Sequence, residues 1–220
     1  MYPLNYQYNM DIDWFYIDGR YPIHAASNGG HIAKGLYKIN ELQSVQTVVM
    51  GMQPRFDYIL NSTEIIANMS DFYDEELVAE LIEHRRELLP EGFELTRQED
   101  HNLPAWMPFY AWSFIGMAQR GFYSFDKKED SDEYYLVVAP IKQLSADMKE
   151  KMNEILPEPF LTSILHECCI CDINDICNQK GDAMRLIPYR RNENNSIGSN
   201  DISIRFADMI VEFWRRIRII

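Results

Sequence analysis

The sequence predicts an α+β domain in which β-hairpins pack with amphipathic helices around one core, and three observations predict it. Asp18-Gly19 lies between the aromatic and β-branched runs Trp14-Phe15-Tyr16-Ile17 and Tyr21-Pro22-Ile23, the strongest short-range signal of a hairpin. A second pair of strand-like runs, Gly121 to Asp126 and Glu133 to Pro140, brackets the charged stretch Lys127 to Asp132. Two apolar patterns of helical type, Leu103 to Ala118 and Phe206 to Ile217, supply faces for these strands to pack against. Strands and helices cluster rather than alternate, which separates the pattern from a parallel α/β fold. The 220 residues read as one domain, 1–220, of two hairpin-containing lobes with a soft boundary near residues 95–103.

The first hairpin-like stretch runs from Ile12 to Gly30, and its turn is expected to be type I′ about Asp18-Gly19, with φ > 0 at both central residues. Gly29-Gly30 and Gly35 then mark a joint, followed by a mixed stretch to about Leu60 that Pro54 keeps from forming one long helix. A helix is expected over Ser70 to Leu89: Ser70, Asp71 or Asp74 can cap it, and acidic residues fill its first turn. Arg85 and Arg86 sit near its end, and Pro90 and Gly92 stop it. Leu103 to Ala118 is the most apolar segment, with Pro108 suited to a first helical turn, and reads as a helix buried nearly all round. Ser145 to Leu156 forms a short amphipathic helix ended by Pro157, and Phe160 to Cys171 is another candidate. After a polar loop from Arg190 to Asn200, Phe206, Met209, Ile210, Phe213, Trp214 and Ile217 fall on one face of a final helix that should dock on the core.

A net charge of −13 disfavours nucleic acid as a direct ligand, because phosphate contacts draw on surplus Lys and Arg. It favours a basic protein partner, or simply solubility. The charge is uneven, −16 over residues 1–184 and +3 over 185–220, so the basic tail with Arg205, Arg215, Arg216 and Arg218 is expected to lie over the acidic body. No apolar run reaches the roughly 18 residues of a membrane span. The first residues lack the basic start and apolar middle of a signal peptide, so the expected location is cytoplasmic.

All four cysteines lie between Cys168 and Cys177, where pairing would close only tiny loops, and free thiols in a reducing compartment are expected. His166, Cys168, Cys171 and Cys177 offer the ligand types of a zinc site, but with one Cys-x-x-Cys knuckle in an apolar run. Buried thiols are the expectation there, with no metal or other cofactor, and zinc is the alternative. The five His residues form no His-x-x-x-His pair, and phosphate-loop, dinucleotide-binding and nucleophile-elbow motifs are missing from the sequence. His24 and His31 flank Gly29-Gly30 and can meet Asp13 or Asp18, although a loop histidine with satisfied hydrogen bonds is the commoner outcome. Asp126 to Glu133 reads as a solvated hairpin tip whose carboxylates can steer a cationic partner.

The segments Asp13 to Gly19, Ile23 to Gly30, Arg120 to Asp126 and Tyr134 to Pro140 together resemble a loosely defined group of small bacterial cytoplasmic proteins. Some members of that group are similar to immunity proteins, which inhibit a polymorphic toxin by binding it. The resemblance spans about 40 residues, leaves the cysteines and the last helix unmatched, and carries over no functional residue. With the charge, it implies a non-enzymatic protein-binding protein, an immunity-type inhibitor of a basic protein toxin in its most concrete form. The residues expected to make the contact are Glu129, Asp130, Asp132 and Glu133 at the tip, and Asp71, Asp74, Glu75 and Glu76 at the helix start. The alternative is a small metal-dependent or hydrolytic enzyme with its site near the Gly29-Gly30 turn.

Overall fold

A computed structural model describes residues 10–29, 39–73, 76, 104, 106–142, 175–176 and 206–219. Among them are five strands: β1 (Trp14–Asp18), β2 (Tyr21–Ala25), β3 (Phe56–Leu60), β4 (Tyr123–Lys127) and β5 (Tyr134–Lys142). The helices are α1 (Ile39–Met50), α2 (Ser62–Met69), α3 (Met107–Gln119) and α4 (Phe206–Ile219). This is an α+β fold built on one mixed sheet of order β1-β2-β4-β5-β3, in which only β2 and β4 run parallel. Strands from before and after residues 95–103 interleave in it. No helix among the described residues is long and apolar enough to cross a membrane.

The first hairpin forms with a different turn from the one expected. Asp18 pairs with Tyr21, so Gly19 and Arg20 are the central residues, and of these Gly19 alone has positive φ, at +62°. Positive φ at the first central position only is the type II′ pattern, which asks for one glycine where type I′ asks for two permissive residues. Asp18 is thereby left as the last strand residue, on the face toward α4.

Alternation along the strands sends side chains to two layers. Trp14, Ile23, Tyr123, Phe125, Tyr134 and Leu136 pack against Phe206, Ile210, Phe213 and Trp214 of α4. Tyr135, Val137 and Val138 face Met107, Ala111, Phe114, Ile115 and Ala118 of α3 on the other side. Phe15, Val49, Phe56, Met117 and Phe122 close a third cluster where α1 meets the end of α3. The final helix docks as its spacing predicts, and Arg216 reaches Glu64 at 3.4 Å, so the basic tail does meet an acidic side chain of the body.

Two local devices shape this sheet. Ser124 pairs with Val138 but Phe125 with Leu136, so Val137 is an extra residue, a bulge that turns Val137 and Val138 to the same layer. Asn61 serves the bulge: its backbone N–H donates to Val137 O and its carboxamide to Leu136 O, both at 2.9 Å. At the end of α3, Gly121 (φ +97°) donates to Ala118 O at 2.8 Å and Phe122 to Met117 O at 3.1 Å. That is a Schellman motif, completed by packing of Phe122 with Met117, and it turns the helix directly into β4.

The helix expected from Ser70 is preceded by one the expectation lacked. Ser70 closes α2, its N–H bonded to Ile66 O at 3.2 Å, and does not open a helix. Asp71 lies in the turn that follows, and beyond Tyr73 the one described residue of the expected helix is Glu76, which is helical. The helices expected over 145–156 and 160–171 and the loop over 190–200 lie outside the described residues.

Candidate functional site

On the α3 face, alternation lines up polar groups at the end of the sheet where β2 and β4 finish. His24 of β2 and Ser124 and Asp126 of β4 all point to this layer, and Asp13, just before β1, and Tyr135 of β5 extend the row. His24 Nε2 lies 2.9 Å from Asp13 Oδ1, and Nδ1 lies 3.2 Å from Ser124 Oγ. Burial works against ionisation of Asp13, but the hydrogen bond and charge of His24 outweigh it and hold the carboxyl below its ordinary range.

Asp, His and Ser in this order are the residue types of a nucleophilic triad, but their burial is inverted. Asp13 is 42% exposed, whereas His24 is 1% and Ser124 0% exposed. The Ser124 hydroxyl donates to Phe114 O at 3.2 Å, so its proton is committed to the carbonyl of α3 and its oxygen faces no solvent. A nucleophile has to reach a substrate carbon, which this oxygen cannot do where it stands. The three residues instead tie β1, β2, β4 and α3 together. The pairing of His24 with Asp13 occurs as one expected arrangement, while Asp18 is elsewhere: its Oδ2 accepts the N–H of Ala207 at 2.8 Å, in the first turn of α4. His24 is a buried strand residue, not a loop residue, and His31 lies outside the described residues.

Next along the row, Tyr110 of α3 donates to Asp126 Oδ2 at 2.5 Å and Tyr135 to the same oxygen at 3.4 Å, and the two phenols contact each other. Asp126 and Lys127, expected in the solvated tip, are instead buried residues of β4. Burial pushes the Asp126 carboxyl up to about 6, against the Tyr110 hydrogen bond and with the charge of Asp11. Burial likewise raises both tyrosines well above the ordinary phenol range. Asn28, with φ +45°, clamps this end by donating its N–H to Asp11 Oδ1 at 2.8 Å and its carboxamide to Lys127 O at 3.1 Å. The alternation Phe125, Asp126 within a strand was the one sequence signal for this arrangement; Tyr110 and Tyr135 carried none.

The tip proper runs from Lys128 to Glu133 and is exposed for most of its length. Asp132 is bonded to Lys127 at 3.0 Å and Glu133 to Lys128 at 3.2 Å, so two of the four expected contact carboxylates are neutralised within the hairpin. Glu129 and Asp130 are exposed and have no ion-pair partner among the described residues. Asp71 and Glu76 are exposed as well, and Asp74 and Glu75 lie outside the described residues, as do His166, Cys168, Cys171 and Cys177. Among the described residues no group of three or more His, Cys, Asp or Glu side chains is arranged to hold a metal ion. Comparison with protein families, with curated proteins and with solved structures gives no match.

Proposed function

We propose that the chain is a non-enzymatic cytoplasmic protein that binds a basic protein partner, in its most concrete form an immunity-type inhibitor of a basic toxin. The observation that carries the reading is the tip of the β4–β5 hairpin. There Glu129 and Asp130 stand exposed without an ion pair among the described residues, in the turn between two strands that are buried up to Ile141. A rigid support with unpaired carboxylates at its end loses little entropy on contact and attracts cations from a distance. The net charge of −13 gives the whole molecule the same preference. The hydrolytic reading has less support, because His24 and Ser124 are spent on joining strands and Asp18 on α4.

Affinity capture from lysate of the source cells, with the wild-type chain and a Glu129→Lys/Asp130→Lys variant, tests the reading. The expected result is a basic protein retained by the wild type at low salt, released as salt rises, and retained at least tenfold less by the variant. Equal retention by both chains, or a retained partner that is acidic, overturns it.

A further inference from the structure

Ser124 has one hydroxyl proton to give, and its Oγ stands 3.2 Å from two groups, the Phe114 carbonyl of α3 and His24 Nδ1 of β2. Both Ser124 and His24 are buried, so the hydroxyl chooses between these two partners. The carbonyl can only accept. If the proton went to Nδ1, the two oxygens would face each other lone pair to lone pair with nothing between them. With the proton on the Phe114 side, Oγ accepts from Nδ1, which therefore carries hydrogen. At the other end of the ring Nε2 meets Asp13 Oδ1 at 2.9 Å, and an ionised carboxylate only accepts as well. Both ring nitrogens are donors, so the ring in this arrangement is an imidazolium.

The surroundings suit that charge. Asp13 pairs with it, and Asp11 adds negative charge from the same segment before β1. The rings of Phe15 on β1 and Phe114 on α3 lie against it, with centroids at 5.2 and 5.8 Å. Asp126 of β4, Tyr110 of α3 and Tyr135 of β5 stand further along the same face.

We infer that the Nδ1 proton of His24 decides which element the Ser124 hydroxyl holds. With the proton in place, Ser124 bonds β4 to the Phe114 carbonyl of α3. When the proton leaves to solvent, Nε2 keeps its hydrogen, because the Asp13 carboxylate opposite it takes nothing but a donor. Nδ1 becomes an acceptor and the hydroxyl turns to it. The bond from β4 to α3 is then exchanged for one to β2, a strand with which β4 is already paired. The helix is thus tied to the sheet at this point in acid and released in base. The switch operates whether or not the acidic tip binds a partner.

NMR of the full chain between about pH 5 and about pH 8, where a histidine ordinarily titrates, tests the switch. The His24 ring is expected to carry hydrogen on both nitrogens at the acid end and on Nε2 alone at the basic end. The carbonyl carbon of Phe114, which loses the hydroxyl, is expected to shift with the same midpoint. Ser124 makes two bonds in the protonated state and one in the neutral state, so Ser124→Ala is expected to lower the His24 midpoint by roughly half a pH unit to one pH unit and to abolish the shift at Phe114. A hydroxyl that donated to Nδ1 throughout would favour the neutral ring, and its removal would raise the midpoint. A raised or unmoved midpoint in Ser124→Ala, a neutral ring with its hydrogen on Nδ1, a ring that keeps one state across the range, or a Phe114 carbonyl that does not follow His24 overturns the inference. The two wild-type titrations decide it even if Ser124→Ala does not fold.

Discussion

Asp18 Oδ2 accepts the backbone N–H of Ala207 at 2.8 Å, which joins the end of the first strand to the first turn of the last helix across 189 positions of sequence. The first N–H groups of a helix have no partner inside it, and the dipole there favours a carboxylate. Asp18 therefore serves α4 as a cap supplied from a distant strand. Asp18→Ala is expected to cost about 1 kcal/mol in urea unfolding, and Asp18→Asn to recover most of it. An alanine variant as stable as the wild type would show that the bond contributes nothing net.

Asn61 stands at the start of α2, where Asn and Asp are equally good caps, yet its side chain makes no cap bond and donates to Leu136 O instead. The two roles separate by substitution. Asn61→Ala removes the buried donor to Leu136 O and is expected to cost about 0.5–1.5 kcal/mol. Asn61→Asp, neutral if the residue were a cap, puts a carboxylate against that carbonyl oxygen and is expected to cost at least as much. Chemical denaturation of the two variants side by side is the measurement.

Truncation after Asn200 removes Phe206, Ile210, Phe213 and Trp214, all buried against the sheet, together with the Trp214 N–H that donates to the Tyr123 hydroxyl at 3.2 Å. Each of these side chains is worth roughly 1.5–3 kcal/mol of burial, a sum comparable to the whole stability of an ordinary domain. The truncated chain is expected to lose its near-ultraviolet circular dichroism and cooperative unfolding, and to aggregate or collapse to a molten state. A soluble, monomeric, cooperatively folding product would show that α4 is dispensable to the core.

What the sequence made legible is what neighbours in the chain decide. The two hairpins, the apolar α3 with Pro108 in its first turn and the amphipathic α4 all follow from periodicity and turn residues within a dozen positions. The helix α2 was legible too, in Asn61 followed by Glu64 at the third helical position, but the stronger acidic run beyond Ser70 masked it. The bulge at Val137, the Asp18 cap and the Tyr110–Asp126 bond were not, because each depends on which distant strand or helix arrives alongside. The acidic tip shows the same limit at shorter range: composition counts carboxylates, while only the hairpin register pairs Asp132 with Lys127 and Glu133 with Lys128.

The parallel pairing of β2 with β4 also fixes an order of events in the making of the protein. His24 and Ser124 sit 100 positions apart. At ribosomal speeds β4 emerges roughly 5–20 s after β2, a long wait on the timescale at which a hairpin forms. Until β4 arrives, the edge of Tyr21–Ala25 that it covers in the finished sheet lacks its native partner strand, and an unpaired edge is a template for any strand nearby. Newborn chains are thus exposed to mispairing at this edge, and slower synthesis between residues 26 and 122 lengthens the exposure.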